Sequence, residues 1–305
     1  MASGGQIDQG MHQLVLAPPG RRDAIVRVLR SARRTIALSI FRCDDFTIVD
    51  ELAVAIQRGV AVRILLTRRA RGWKKRLEDL TAVLRNLGAD VRRYESSAMK
   101  YHAKYIVVDD GPALVTSLNF TRKCFESTRD FLVFSEDPDV ITSLKTLFDH
   151  DCNSPAAPMP AMSGRLIVAP ENARRQLTEH LASARSSIQI LDHRVTDPEM
   201  LALLRDKRSH GVAVRVIGDS RVEDLIPHGR MILIDRRTAV VGSIHLSTAS
   251  LDSRRELALI IEETPVVTEL YDYFETLARN EVDMNLWSIG VSAAEDADDE
   301  DEDDE

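Results

Sequence analysis

Two stretches of this chain repeat one another: YHAKYIVVDDGPALVTSLNF at residues 101–120 and PHGRMILIDRRTAVVGSIHL at residues 227–246. Each begins with a histidine followed two residues later by a cation, and each continues with an apolar run that ends in an aspartate. A repeat that served packing alone would have to keep only its apolar positions. The polar residues that correspond at a constant offset of 126 are His102 with His228, Lys104 with Arg230, Asp109 with Asp235, Ser117 with Ser243, Asn119 with His245 and Asp130 with Glu256.

The repeat extends upstream of these two stretches. At an offset of 152, LVLAP of residues 14–18 returns as LIVAP, while SAR of residues 31–33 and GVAVR of residues 59–63 return unchanged. Short apolar runs alternate with amphipathic segments in each copy, which predicts an α/β fold of two pseudo-symmetric repeats, each a mixed sheet flanked by helices. The predicted elements are strands at 13–17 and 165–169, helices at about 20–33, 172–184, 47–58 and 197–209, and strands in TIALSI, SIQIL, VAVRILL and VAVRVIG.

Shifts in composition divide the chain into segments. We predict a first repeat over residues 1–150, a linker rich in Pro, Ala, Ser and Gly over residues 151–164, and a second repeat over residues 165–290. The first copy carries an additional piece at roughly 70–98, in which KKRLEDLTAVLRNLG has helical spacing and ends in a glycine suited to a C-cap. The second copy lacks this piece, so the offset falls from 152 to 126.

The composition is typical of a soluble globular protein. Of the 305 residues, 44% are hydrophobic and 29% are charged, which is enough for a sizeable core. Cys43, Cys124 and Cys152 lack metal-ligand spacing, and we expect reduced thiols. Because the sequence shows neither a signal-peptide pattern nor an apolar run of about 18 residues, we expect a cytoplasmic protein whose contact with membranes would be peripheral. We also expect a monomer.

The charge of the chain is unevenly distributed. The net charge is −8, but residues 295–305 hold ten acids and no base, so the rest carries 40 Lys and Arg against 38 Asp and Glu. A run of like charges this dense predicts a disordered acidic tail, which we place at residues 291–305. Two roles stay open for it: the tail serves solubility, or it competes with an anionic substrate for a basic site.

The repeated stretches resemble the paired motifs of the phospholipase D superfamily, in which His-x-Lys and Asp precede Gly-Ser-x-Asn and a later acidic residue. The resemblance covers nearly the whole chain and implies an active site at the interface of the two repeats. It implies a phosphohistidine on one imidazole, commonly the N-terminal one, while the other serves as general acid and base. His102 would then be the nucleophile and His228 the acid–base group. It also implies that Asp130 and Glu256, each 28 residues after a histidine, orient the rings, which gives two sets: His102 with Lys104 and Asp130, and His228 with Arg230 and Glu256.

A phosphodiester is an anion, so its site needs cations and hydrogen-bond donors around the non-bridging oxygens. We expect Lys104 and Arg230 to supply the charge. Asp109 and Asp235 end apolar strands, and we expect them to be structural. Neither a cofactor nor a metal is predicted, because no cluster of ligand residues with metal-binding spacing is visible. The residues expected to donate hydrogen bonds to the phosphate are Ser117, Asn119, Ser243 and His245.

The chain departs from the family pattern at three positions. The second motif has Arg230 in place of Lys and His245 in place of Asn, and the first has Thr116 where Gly is usual. Arginine keeps the charge but is bulkier than lysine and not interchangeable with it, while histidine can still donate one hydrogen bond. Thr116 is tolerated if its φ is negative and strained if the site needs the freedom of glycine.

A basic segment follows the predicted strand VAVRILLT. Residues 68–76, RRARGWKKR, combine six cations with a tryptophan. Such a segment suits an anionic lipid surface or a nucleic-acid backbone, and it is equally typical of a solvated first helical turn. Its cations are Arg68, Arg69, Arg71, Lys74, Lys75 and Arg76.

Three functions remain open at this point. The first is a phosphodiesterase or phosphatidyltransferase acting on phospholipid head groups, which we favour because two fused copies with one altered motif resemble that branch of the superfamily. The second is a metal-independent nuclease acting on DNA or RNA. The third is a catalytically weakened pseudoenzyme that binds phosphate in the same cleft.

Overall fold

A computed structural model of the chain describes residues 10–96, 99–218, 225–279 and 283–287. The elements of the first repeat are β1 (His12–Val15), α1 (Arg21–Ser31), β2 (Thr35–Ile40), α2 (Phe46–Gln57), β3 (Ala61–Leu66), α3 (Lys74–Asn86), β4 (Asp90–Arg93), β5 (Lys100–Tyr101), β6 (Tyr105–Val108), β7 (Ala113–Thr116), α4 (Arg122–Ser127), β8 (Thr128–Arg129), β9 (Leu132–Ser135) and α5 (Pro138–Asn153). Those of the second repeat are β10 (Leu166–Ala169), α6 (Ala173–Ser183), β11 (Ser187–Leu191), α7 (Pro198–Ser209), β12 (Ala213–Ile217), β13 (Ile226–Pro227), β14 (Arg230–Ile234), β15 (Thr238–Gly242), α8 (Thr248–Asp252), β16 (Arg254–Ile261) and α9 (Thr264–Ala278).

Each repeat contains one large mixed sheet. The strand order is β1-β9-β7-β6-β2-β3-β4 in the first and β10-β16-β15-β14-β11-β12 in the second. Strands β2, β3 and β4 are parallel, as are β11 and β12, while the other neighbours in each sheet are antiparallel. Two α/β repeats with mixed sheets flanked by helices are therefore confirmed, and the predicted strands and helices agree with the observed ones to within a few residues.

The additional piece of the first repeat is α3 with β4, which extends the first sheet by one edge strand. Helix α3 ends at Asn86, and Gly88 follows with φ of +101°, a conformation that glycine adopts without strain. The predicted glycine at the end of this helix is therefore confirmed. Within the described residues the second sheet ends at β12, with no counterpart of β4.

The predicted linker at 151–164 begins too early, because helix α5 continues to Asn153. Its amino end is fixed by Asp137, whose side chain accepts hydrogen bonds from the backbone of the first turn. Near its carboxyl end, the buried Asp151 lies 3.1 Å from Nε of Arg255 in the second repeat. The last turn of α5 is thus packed against the other repeat. The predicted acidic tail, residues 291–305, lies outside the described residues.

One apolar core joins the two repeats. It contains buried side chains from the inner faces of both sheets together with those of α5 and α9, such as Leu144 and Leu270. Two further clusters cover the outer faces, one under α1 and α2 and the other under α6 and α7. Because burial of apolar surface drives folding, neither inner face would be stable in water alone. The two repeats therefore hold each other in place.

Two short strand pairs cross between the repeats. Strand β5 of the first repeat pairs in parallel with β16 of the second, and β13 of the second pairs in parallel with β8 of the first. The exchange continues past the strands, where the backbone N–H of His102 donates to the carbonyl of Arg255 at 2.9 Å. The N–H of Gly229 donates to the carbonyl of Arg129 at 2.6 Å. Each histidine motif is thus anchored on a strand of the other repeat.

Candidate active site

The motif residues lie at one edge of each sheet. Strands β2 and β3 are parallel and β6 is antiparallel to β2, so the start of β6 lies at the edge where β2 and β3 end. His102 and Lys104 precede β6, and His228 precedes β14, which has the same place beside β11. The crossed strand pairs bring these two edges together at the interface of the repeats.

His102 is buried and held through both ring nitrogens. Its Nδ1 lies 3.0 Å from Oε1 of Glu256, and its Nε2 lies 2.9 Å from Nζ of Lys104. The other carboxylate oxygen of Glu256 accepts a hydrogen bond from the hydroxyl of Ser250. A carboxylate beside Nδ1 favours the tautomer that carries the proton there. The lone pair of the neutral ring is then on Nε2, next to the ammonium group of Lys104.

His228 has the matching arrangement. Its Nδ1 lies 2.7 Å from Oδ1 of Asp130, which is buried and also accepts hydrogen bonds from the hydroxyls of Ser117 and Thr128. Burial opposes ionisation of this carboxyl group, but His228, then Arg21 and the Ser117 hydroxyl hold the pKa of Asp130 well below its ordinary value. Asp130 is therefore a carboxylate at neutral pH and can stabilise a positive charge on the His228 ring.

The sets expected from the sequence are exchanged. His102 pairs with Glu256 and His228 pairs with Asp130, so each ring takes its carboxylate from the other repeat. The crossed strand pairs explain the exchange, because β16 carries Glu256 alongside β5 and β8 precedes Asp130 alongside β13. Neither half-site is complete within its own repeat.

Both motif serines contact the segments that carry the acids, residues 130–131 and strand β16. The hydroxyl of Ser117 donates to Asp130 at 2.6 Å and accepts the N–H of Phe131 at 3.0 Å. The hydroxyl of Ser243 lies 3.4 Å from both the carbonyl and the N–H of Leu257. This differs from the expected phosphate contact, because the Ser117 proton is already committed to a carboxylate. Asn119, by contrast, is buried on the loop after β7, at the same sheet edge as the motif histidine.

Thr116, which stands where the family pattern has glycine, causes no backbone strain. Thr116 is the last residue of strand β7, and its hydroxyl donates to the carbonyl of Phe131 at 2.9 Å. The second repeat cannot accept a side chain at the matching position. A Cβ on Gly242 would lie 2.2 Å from the carbonyl oxygen of Leu257 and 2.6 Å from Cα of Ala258. The glycine of this motif is thus required by close backbone approach in the second repeat alone.

The second half-site contains a buried polar group that the sequence did not indicate. Nδ1 of His245 lies 2.5 Å from Oδ1 of Asp192, and the guanidinium of Arg230 contacts the His245 ring, with its Nε 3.1 Å from Nδ1. At the offset of 152, the first repeat has Ile40 where the second has Asp192. A carboxylate where the other copy is apolar is the signal by which the sequence could have revealed this residue.

Arg21 is a second residue that the sequence analysis missed. Its buried guanidinium donates to the carbonyls of Thr128 at 2.7 Å and of Cys124 and Asp130 at 3.2 Å. It also contributes to the low pKa of Asp130. Because arginines are frequent in the predicted helix at about 20–33, spacing alone could not distinguish this one from its solvent-exposed neighbours.

Asp109 and Asp235 lie at the opposite ends of β6 and β14 from the histidines. The carboxylate of Asp109 accepts three backbone N–H groups from residues 33–35, and that of Asp235 accepts three from residues 185–187. Partial burial opposes ionisation, yet these hydrogen bonds lower the pKa of Asp235 to about 2. Each carboxylate therefore fixes the turn between a helix and the next strand.

The basic segment, residues 68–76, lies beside His102. Its six cations are exposed around the buried Trp73, which packs with Phe41 in a small apolar cluster. The ring of Phe41 contacts the His102 ring edge-on, with 4.7 Å between centroids. Arg42 lies over the Trp73 ring at 5.3 Å and connects the two loops. Trp73 and Phe41 therefore connect the basic segment to the His102 side of the site.

Two groups in the described ranges bring potential metal-ligand atoms within 4.8 Å of one another. In each group a histidine already lies within hydrogen-bond distance of a carboxylate, so a metal ion would have to replace that contact. The predicted absence of a metal stays a prediction. The groups are Cys124 with Asp130 and His228, and Asp192 with His193 and His245.

Comparison with known proteins gives consistent matches. The family described as "Cardiolipin synthase, PLD-like domain" matches residues 25–152 and 221–278, which is more than half of the chain. A mitochondrial cardiolipin hydrolase of Danio rerio is 26% identical over 134 residues, which cover 43% of this chain and 58% of that protein. The chain thus spans less than two thirds of this relative.

In the described part of the chain, no helix is long and apolar enough to cross a bilayer.

Two solved structures share the fold over most of the chain. The phosphatidylserine synthase of Haemophilus influenzae Rd KW20 superposes with a TM-score of 0.73 at 11% identity, covering 90% of this chain and 87% of that one. The polyphosphate kinase of Porphyromonas gingivalis also gives 0.73, at 21% identity, with 88% of this chain and 47% of that one covered. At these identities the likeness concerns the fold alone.

Proposed function

The chain belongs to the phospholipase D superfamily, and on that premise we propose that it is a phosphodiesterase or phosphatidyltransferase of phospholipids that works through a phosphohistidine. The observation that carries the proposal is the exchanged pairing of its histidines. Each ring is held at Nδ1 by a buried carboxylate of the other repeat, so the proposed chemistry takes place at Nε2, which in His102 lies next to Lys104. Lys104 and Arg230 supply the cations that an anionic phosphodiester needs.

In the first step, Nε2 of His102 bonds to phosphorus while the bond from phosphorus to the leaving oxygen breaks. His228 donates the proton on its Nε2 to that oxygen, and Asp130 stabilises the charge on the ring before transfer. Glu256 balances the positive charge that develops on His102, because its carboxylate accepts a hydrogen bond from the Nδ1–H of the ring. Lys104, 2.9 Å from Nε2 before substrate binds, is placed to turn to a non-bridging oxygen.

In the second step, His228 acts as a base. Its Nε2 takes a proton from water or an alcohol, whose oxygen bonds to phosphorus as the bond between phosphorus and His102 breaks. Water gives hydrolysis and an alcohol gives transfer. An imidazole can both donate and accept a proton at Nε2, so the two steps need no further acid or base.

A lipid substrate is favoured by the surface around the site. The six cations of residues 68–76 follow β3, and the largely exposed Phe46 follows the adjacent parallel strand β2, so both lie at one edge of the first sheet. Cations beside an exposed aromatic ring are suited to an anionic bilayer surface. The same cations favour the second candidate, a nuclease, because a nucleic-acid backbone is also a chain of phosphodiesters.

The test is turnover of defined substrates by the purified protein. We expect release of a head group or phosphatidic acid from vesicles of phosphatidylcholine, phosphatidylglycerol or cardiolipin, and none from a His102→Ala variant. Cleavage of single-stranded DNA with every lipid intact would make the protein a nuclease. If no substrate is cleaved and inorganic phosphate still binds, the protein is the weakened pseudoenzyme, and the proposal fails.

The basic segment has a separate test. Lys74→Glu with Lys75→Glu should lower binding to phosphatidylglycerol vesicles by about tenfold or more, since each cation near an anionic surface contributes about 1 kcal/mol. Hydrolysis of a soluble short-chain phosphodiester should stay unchanged, because neither lysine contacts the histidines. Arg27→Glu with Arg208→Glu, which changes two exposed cations on α1 and α7 by the same charge, serves as the control for net charge. Unchanged vesicle binding would remove the segment from the proposal.

A further inference from the structure

The second half-site differs from the first at three buried positions that lie in contact. Where the first repeat has Ile40, Lys104 and Asn119, the second has Asp192, Arg230 and His245 at the corresponding offsets. The three side chains of the second repeat are buried and touch one another. Because the three residues that differ between the repeats contact one another, the simplest explanation is that they act together.

Asp192 is the charged end of this group. Its Oδ1 lies 2.5 Å from Nδ1 of His245 and 2.9 Å from the N–H of Arg194, and its Oδ2 accepts the N–H of Leu246 at 2.9 Å. Burial opposes ionisation, but His245 and then Arg230 hold the pKa of Asp192 well below its ordinary value. A buried carboxylate needs such partners, because an unpaired one is strongly unfavourable.

His245 stands between this carboxylate and Arg230. The guanidinium contacts both ring nitrogens, while Asp192 contacts Nδ1 alone. The backbone N–H of His245 donates to the hydroxyl of Ser250 at 2.9 Å, and that hydroxyl donates to Glu256, the carboxylate that holds His102. His245 is therefore held through its backbone as well as through its ring, and the ring contacts both the carboxylate and Arg230.

We propose that Asp192 is a positioning residue of the second half-site, which acts through His245 to hold Arg230 toward the phosphate of the substrate. The inference rests on the proposed function for the identity of that phosphate. In the first half-site the compact lysine needs no such support, because its ammonium already contacts His102. A guanidinium is longer and planar, and it binds phosphate oxygens well only when its plane is fixed.

His193 lies next to these three residues, and its role is packing. Its ring contacts that of His245 edge-on at 4.9 Å between centroids, and desolvation, followed by the charges of His245 and Arg230, lowers its pKa to about 2. It is thus neutral and packs as the corresponding Phe41 packs against His102. His193→Phe is therefore a matched control that removes both ring nitrogens and keeps the packing.

The test is a set of variants that keeps Arg230 and replaces Asp192 and His245 with the residues of the first half-site, with inorganic phosphate as the probe in isothermal titration calorimetry. His245→Asn should weaken phosphate binding by about tenfold or more, because Asp192 then pairs directly with Arg230. The double variant Asp192→Ile with His245→Asn should return to within about threefold of the wild type. His193→Phe should bind as the wild type does.

A structural role alone would give a different pattern. If His245→Asn and the double variant bind phosphate equally, or if His193→Phe loses as much affinity as His245→Asn, the positioning role is wrong. Should His245→Asn fail to fold by circular dichroism, Asp192→Asn replaces it, with an expected loss of about threefold to tenfold. Phosphate binding does not depend on turnover, so an inactive protein that shows the expected pattern of affinities would overturn only the proposed function. A wild type without phosphate affinity would overturn the inference as well.

Discussion

The two half-sites share one backbone and differ in the chemistry behind their cations. In the first, Lys104 contacts Nε2 of His102, and the centre of the Phe41 ring lies 5.4 Å from its ammonium nitrogen. In the second, Arg230 lies against His245, which in turn is held by Asp192. The symmetric part is the attachment of each ring to a carboxylate of the other repeat. The asymmetric part is the support of the cation, which points to different duties for two histidines in matching positions.

The largest expected effect separates those duties. His102→Ala should lower turnover by about 10⁴-fold or more with any substrate, because it removes the nucleophile. His228→Ala should cost about 10²–10⁴-fold with an alcohol leaving group. With p-nitrophenolate, which leaves without a proton, release of the first product should be nearly normal in His228→Ala. Stopped-flow absorbance measures this release, and an equal loss for both variants on both substrates would show that the duties are not divided.

The exchanged carboxylates should give the next largest effect. Asp130→Asn and Glu256→Gln should each lower kcat by about 10–100-fold, since each removes the charge that holds a ring. In long-range ¹H–¹⁵N spectra, Asp130→Asn should move the ring signals of His228, and Glu256→Gln those of His102. The opposite assignment would restore the pairing within each repeat and contradict the structure. Thr121→Ser, a conservative change at a buried hydroxyl that caps α4 by accepting the N–H of Cys124, serves as the control.

The smallest expected effect is on stability. Asp235→Asn should lower the free energy of unfolding at pH 7 by about 1–2 kcal/mol, because the carboxylate accepts three backbone N–H groups and the Ser186 hydroxyl. A depressed pKa means that this stabilisation is present above the ordinary carboxyl pKa and is lost as pH falls through about 2. Asp109→Asn should cost less, since Arg34 stands where the second repeat has Ser186.

Urea titrations of the two variants and the wild type between pH 7 and pH 2 check this difference. The gap between wild type and Asp235→Asn should narrow as the pH approaches 2, and it should exceed the gap for Asp109→Asn throughout. A gap that widens on acidification would mean that the carboxylate destabilises the folded chain, and the structural role of both aspartates would be wrong.

Local motifs made the fold and the identity of the paired polar residues predictable. Alternation of strands and helices follows from apolar periodicity, which neighbouring residues determine, so the two α/β repeats could be inferred from the sequence. The partners of Asp130 and Glu256 could not. Pairing within a repeat and pairing across repeats are equally compatible with a spacing of 28 residues. Only the long-range pairs β5 with β16 and β13 with β8 decide between them.

Asp192 escaped the sequence analysis for a related reason. The motif residues correspond at an offset of 126, whereas Asp192 belongs to the upstream part, where the offset is 152. Its contact with His245 joins positions 53 residues apart, and sequence alone does not indicate that contact. The linker boundary was misplaced because residues 151–153 look polar, although Asp151 is buried against Arg255. Buried charges with distant partners are thus the part of this molecule that local patterns do not reveal.

The central claim is that the two histidines form one reaction centre with divided roles, and covalent trapping tests it most directly. A phosphodiester with a p-nitrophenolate leaving group is mixed with the His228→Ala variant, quenched in base and digested for mass spectrometry. The account predicts a burst of p-nitrophenolate close to one equivalent and a phosphoryl adduct on His102, which accumulates because no base remains to activate water. An adduct on His228 in the His102→Ala variant, with none on His102 in the His228→Ala variant, would contradict the account.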